Sequence, residues 1–117
     1  MANFSHWTGK YAMNFEDYQD LAARTMNDSL SERDALSMTG LGLAGEAGET
    51  VELIKKHNFH GKELDREKLK AELGDVLWYL ANMARSAGIS LRSVAEGNIA
   101  KLRARYPQGF QNGGGIR

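Results

Sequence analysis

Apolar residues recur at helical spacing in four stretches of the chain, and the polar residues between them carry signals that start and stop helices. Behind Asn14, a good N-cap, Phe15, Tyr18, Leu21, Ala22 and Met26 repeat three and four residues apart, which predicts a first helix ending near Asn27. Ser31 followed by Asp34 opens a second, carried from Glu32 to about Lys56. His57 to Lys62 breaks the periodicity and reads as a loop. Asp65 caps a third helix that runs to about Ala87 and stops at Gly88. Ser90 opens a fourth, with Leu91, Val94, Ala95, Ile99 and Leu102 on its apolar side, closed before Pro107. No stretch reads as a strand, so the expected fold is all-α and four-helix-bundle-like. Residues 14–110 form its single domain, between an N-terminal arm (1–13) holding Phe4, Trp7 and Tyr11 and a flexible tail (111–117) with three consecutive glycines.

The second and third helices share an unusual polar feature. Glu46-x-x-Glu49 and Glu72-x-x-Asp75 have the same spacing, and each pair borders an apolar stripe. With 3.6 residues per turn and Glu46 at zero, Leu43, Ile54, Leu36, Ala47 and Val51 fall between roughly 60° and 140°, while Glu49 falls near −60°. With Glu72 at zero, Met83, Val76, Leu69, Leu80, Leu73, Ala84 and Leu77 span roughly 20° to 140°, with Tyr79 near −20° and Asp75 near −60°. Helices burying these stripes against each other bring four carboxylates to one seam. Like charges there repel unless protonated or neutralised by a cation. Oxygen-only ligands favour Mg²⁺, with Mn²⁺ as the substitute. The alternative is that the acids are solvated edges of two amphipathic helices; two phased pairs favour the metal.

Composition narrows the partners. At 117 residues the chain makes one domain, and helices this long often complete their cores by oligomerising. Lys plus Arg equals Asp plus Glu at 15 each, so no broad basic surface marks a nucleic-acid duplex as partner, whereas a free nucleotide carried with Mg²⁺ needs only a few local cations. There is no cysteine, hence no disulfide framework or thiolate site. No segment reaches the length of a membrane span, and the reading is a soluble, cytoplasmic protein.

Four glycines within the second helix, Gly40, Gly42, Gly45 and Gly48, each cost roughly 1 kcal/mol relative to alanine, so they imply close approach of another backbone or a local break. Gly40, Gly42 and Gly45 also spell a dinucleotide fingerprint, but no strand precedes it and no β-α-β pattern follows. His57 and His60 have no partner acid nearby and read as surface residues. Lys55, Lys56, His57 and Lys62 are candidates to hold phosphate. On the fourth helix Asn98, Lys101 and Arg105 lie three and four apart, which places an amide and two cations on one side; a solvated charged face is the plainer reading.

Three motifs in order carry a family resemblance. Gly40-Leu-Gly-Leu-Ala-Gly-Glu46-Ala-Gly-Glu49, then Glu72-Leu-Gly-Asp75-Val-Leu-Trp-Tyr79, then Asn98-Ile-Ala-Lys101-Leu-Arg103-Ala-Arg105-Tyr106-Pro107 resemble the MazG-like all-α nucleoside triphosphate pyrophosphohydrolases over residues 14 to 110. The resemblance implies hydrolysis of a nucleoside triphosphate, often a deoxy or damaged one, to monophosphate and pyrophosphate with Mg²⁺, in the service of nucleotide-pool cleaning. By motif position it implies Glu46, Glu49, Glu72 and Asp75 as metal ligands, Tyr79 in the nucleotide pocket, and Asn98, Lys101 and Arg105 at phosphate or sugar. Some relatives carry a second glutamate next to the one matching Glu46, as a general base. Here the neighbours are Gly45 and Ala47, so the resemblance assigns no base; Glu49 is offered separately as the candidate to orient or deprotonate the attacking water.

The chemistry is coherent, because phosphoryl transfer asks chiefly for positioning and charge neutralisation, which a metal on a carboxylate cluster supplies. A carboxylate-bridged di-iron bundle needs Glu-x-x-His, and no histidine stands three residues after Glu46 or Glu72. A non-catalytic helical interaction module is the other alternative. The expected assembly is a MazG-type homodimer or a dimer of dimers (homotetramer), with the nucleotide pocket at or near a subunit contact.

Overall fold

A computed structural model describes residues 12–111 of the chain and is helical throughout its regular parts: α1 (Phe15–Ala23), α2 (Glu32–His60), α3 (Arg66–Ser86) and α4 (Leu91–Arg105). The expectations for residues 1–11, including Phe4, Trp7 and Tyr11, and for residues 112–117 lie outside the described residues.

All four helices start where a side chain can satisfy an orphan backbone N–H. The Asn14 side chain accepts from the Asp17 N–H at 2.8 Å and the Asp17 carboxylate accepts from the Asn14 N–H at 3.2 Å, a reciprocal capping box. Ser31, Asp65 and Ser90 accept from Asp34, Lys68 and Ser93 in the same way. The stops are less uniform. α1 ends at Ala23 rather than near Asn27, because Arg24, Thr25 and Met26 each donate to the carbonyl three residues back and close a tight turn. α2 continues through His57–His60, which the broken periodicity had marked as loop. Nothing in those four residues forbids helix; the apolar pattern fades there because the turn is exposed on every side. The helix stops at Gly61, whose φ of +69° suits glycine, where the Lys62 N–H reaches back to the Lys56 carbonyl.

α2 and α3 make the main packing unit, and they run antiparallel. Gly40 faces Met83, Gly42 faces Tyr79, and Glu46 meets Glu72 and Asp75. Gly42 is the tightest point of the pair: a Cβ there would collide with the Tyr79 ring, so the glycine is what lets the aromatic lie on the α2 backbone. α1 packs against α3, and α4 closes on α1 and α3. The buried apolar residues are Leu21, Ala22, Ala35, Ala81, Ala84 and Leu91. Gln19, also buried, ties three elements: its amide nitrogen donates to the Ala81 and Ile89 carbonyls (3.2 and 3.0 Å), and its oxygen accepts from the Leu91 N–H (3.0 Å). At the other end of α1, the Trp78 indole donates to Thr25 Oγ1 at 2.7 Å.

The expected core stripes are only partly covered within one chain. On α2, Ala47, Val51 and Ile54 are exposed, Val51 at 64%, and on α3 Leu73 is exposed. On α4, Leu91 is buried, whereas Val94, Ile99 and Leu102 are not. Among the described residues, four of the six buried apolar side chains are alanines, a thin core that leaves many of the longer aliphatic side chains at the surface.

Candidate functional site

The antiparallel register of α2 and α3 sets Glu46 across from Glu72 and Asp75, and one carboxylate oxygen from each of the three lies within 4.8 Å of the others. Glu46 and Glu72 are half-buried and Asp75 is exposed, so the group is open on one side. Glu46 Oε2 and Glu72 Oε2 are sealed from solvent, and neither has a hydrogen-bond partner. Two buried anionic oxygens without donors are a costly arrangement. A divalent cation on these oxygens would remove that cost, and an all-carboxylate donor set suits a hard ion.

The protonation of Glu46 registers the same crowding. Its carboxyl is pushed up to about 7, first by burial and then by the charges of Glu49, Glu72 and Asp75. Closeness to Glu72 would also favour a shared proton, yet the buried Oε2 atoms of both residues stand outside hydrogen-bonding geometry, so burial and like-charge repulsion are the firmer causes. Glu49 is exposed and falls outside the group of three, one helical turn further along α2 and near enough to act on Glu46 through its charge. All the neighbouring groups that set the Glu46 proton affinity are acids. Lys56, Lys101 and Arg105 are not among them.

Tyr79 lies one turn beyond Asp75 against Gly42, with its ring edge-on to Trp78 at 5.0 Å between centroids. Asn98, Lys101 and Arg105 are exposed along α4, and Lys56 is exposed on α2. Of the loop candidates for phosphate, Lys55 stands 3.9 Å from Glu52, and His57 Nδ1 pairs with the Lys62 carbonyl at 2.8 Å, a contact that closes the end of α2.

One residue near the acids was not legible as a neighbour. Tyr18 of α1 has its phenol raised, first by burial and then by the charge of Asp75, which puts a third helix beside the cluster. Its place in the apolar repeat of α1 marked it as inward-facing. Only the packing of α1 on α3 brings it within range of the Asp75 charge.

The family model for the MazG nucleotide pyrophosphohydrolase domain matches residues 35–110, more than half of the chain and the whole of the acidic group. The "Gene 37 protein" of Mycobacterium phage L5 is 38% identical over 86 residues, covering 70% of this chain and 75% of that protein. No solved structure matches the chain.

Proposed function

The chain belongs to the MazG nucleotide pyrophosphohydrolase domain family, and from that premise we propose that it hydrolyses a nucleoside or deoxynucleoside triphosphate to the monophosphate and pyrophosphate in a Mg²⁺-dependent reaction. The observation that carries the reading is the convergence of Glu46, Glu72 and Asp75 with two buried, unpartnered oxygens. Those three residues would hold the cation, with Glu49 able to join them through a change of rotamer. A divalent ion bound there neutralises phosphate oxygens and makes a water more acidic.

The chain's own residues supply the rest. α2 and α3 hold the carboxylates on rigid elements, so their separation is fixed before substrate arrives. We assign Glu49, exposed and close enough for its charge to act on Glu46, the task of orienting or deprotonating the water that attacks phosphorus as pyrophosphate departs. Tyr79, held on the Gly42 backbone, flanks the site on α3. Lys56, Asn98, Lys101 and Arg105 are assigned to phosphate and sugar contacts, and no cation is among the charges acting on Glu46 within one chain. A homodimer or homotetramer that buries the exposed Val51, Ile54, Leu73, Ile99 and Leu102 would account for the thin core. No helix among the described residues is long and apolar enough to cross a membrane, and we place the reaction on a cytoplasmic nucleotide pool.

The test is a panel of ribo- and deoxynucleotides with Mg²⁺, assayed separately for pyrophosphate and orthophosphate. Pyrophosphate should be the primary product, and Glu72→Ala should abolish it while leaving the helical spectrum intact. Orthophosphate as the first product, or undiminished turnover in the variant, would exclude the proposal.

A further inference from the structure

Where the end of α1 meets the end of α3, a cavity of about 520 Å³ is lined by Ala23, Arg24, Met26, Asn27, Asp28 and Arg85. No residue of α2 and no member of the acidic group lines it, and Arg85 stands about 15 Å along α3 from Asp75. Each arginine has a local reason for its place, because a cation at the C-terminal end of a helix offsets exposed carbonyls. That reason does not account for two guanidiniums sharing one cavity with an acid. Among the described residues Arg85 and Asp28 make no ion pair, although both are in its wall. Elsewhere on the surface cations and neighbouring acids do pair, Arg92 with Glu16 and Glu96, and Lys55 with Glu52.

The wall is held in place from both helices. Thr25, between Arg24 and Met26, accepts from the Trp78 indole at 2.7 Å, which ties the turn to the helix that carries Arg85. Asn27 Oδ1 accepts from the Ser29 N–H and hydroxyl at 3.0 and 2.7 Å, so its amide nitrogen is left as a donor. The carbonyls of Leu21, Ala22 and Ala23, which would repel an anion, are each taken by an N–H of the turn. Two guanidiniums and an amide suit an oxyanion, and the volume falls within the range for ligand pockets, about 300 to 1,000 Å³. Asp28 adds a condition: it repels a bare anion but accepts from one that carries an O–H. We propose that this cavity is a second anion site, separate from the acidic group. It takes a phosphate oxyanion that presents a hydroxyl to Asp28, either hydrogen phosphate itself or a nucleoside monophosphate with its sugar hydroxyls alongside.

The experiment titrates the metal-free full chain at pH 7 with inorganic phosphate, sulfate and a nucleoside monophosphate in a calorimeter. Without its cation the carboxylate group has no attraction for an anion. Phosphate should bind, and Arg85→Gln should weaken it roughly 10-fold or more, as loss of a charge-assisted hydrogen bond does. Arg85 is exposed, so the variant should keep the helical spectrum. Sulfate has no proton at this pH and should bind roughly 5-fold or more weakly than phosphate. Asp28→Asn, with a donor in place of the charge, should bring the two anions together. A monophosphate that binds more tightly than phosphate assigns the hydroxyl to the sugar, and one that binds more weakly assigns the site to the free ion. Phosphate affinity within twofold of wild type in Arg85→Gln, or sulfate binding as tightly as phosphate in the wild type, would overturn the proposal. Turnover is not part of the readout, so the result is independent of whether the acidic group hydrolyses a triphosphate.

Discussion

Replacing Glu46 with glutamine keeps the shape of the side chain and removes both its negative charge and its proton, and this isolates the electrostatics of the acidic group. With its carboxyl pushed up to about 7, Glu46 carries about 0.9 of a proton at pH 6 and about 0.1 at pH 8. A cation bound by Glu46 must displace that proton. Binding of Mn²⁺ or Mg²⁺ should therefore release about 0.9 proton at pH 6 and about 0.1 at pH 8, and apparent affinity should fall by roughly tenfold for each pH unit below 6. Isothermal titration in buffers of differing ionisation enthalpy measures the proton count directly. Glu46→Gln should bind more weakly at pH 8 and release almost nothing at either pH. Equal proton release at pH 6 and 8 in the wild type, or a full proton released by the variant at pH 6, would show that Glu46 is not the group that titrates.

The same shift has a consequence for the metal-free fold. An acid whose folded value lies above its ordinary one, 4.5, binds protons more tightly when folded; its contribution is complete below about pH 4.5 and is lost as the pH rises through about 7. The unfolding midpoint of the metal-free protein should thus fall between pH 5 and 8 relative to Glu46→Gln, and Mg²⁺ should reverse the fall; a flat difference between the two proteins contradicts it. Gly42→Ala should destabilise by about 1–3 kcal/mol through collision with Tyr79, less up to ~1 kcal/mol of helix propensity, as read by chemical denaturation. Gly45 has nothing within 4 Å of an added Cβ, so Gly45→Ala should stabilise by up to ~1 kcal/mol, and a loss instead would reveal another copy packed on that face. Gln19→Leu strands the Leu91 N–H and should cost about 1–3 kcal/mol, lowering the thermal midpoint by roughly 5 °C or more.

These predictions separate what a one-dimensional pattern can show from what it cannot. Asn14, Ser31, Asp65 and Ser90 act within three residues of themselves, so the starts of all four helices could be read locally. The paired acids were legible for a related reason. A short connection makes the two helices antiparallel neighbours and each pair borders the stripe its helix buries, so a shared seam could be anticipated; the register that sets Glu46 against Glu72 and Asp75 and leaves Glu49 outside comes from the packing. Distances across three helices are not encoded in this way. Tyr18 looks like any inward residue of α1 until α1 is laid on α3, where it shares a surface pocket with Leu77, more than fifty positions away.

The extent of burial was misjudged for a different reason. A stripe on a helical wheel identifies a face that avoids water without stating what covers it. Val51, Leu73 and Ile99 carry that signature and are exposed in one chain, while the small Ala81 and Ala84 are buried where helices approach closely. Solvent exposure of several long aliphatic side chains is unfavourable at about 25 cal/mol per Å² of apolar surface, so their positions argue for a covering partner. The Gly45→Ala variant is informative here because it probes the outer face of α2 with a single methyl group. Its effect on stability should match the isolated helix only if that face is open in solution; if a second chain lies within van der Waals reach, the sign reverses and becomes dependent on protein concentration.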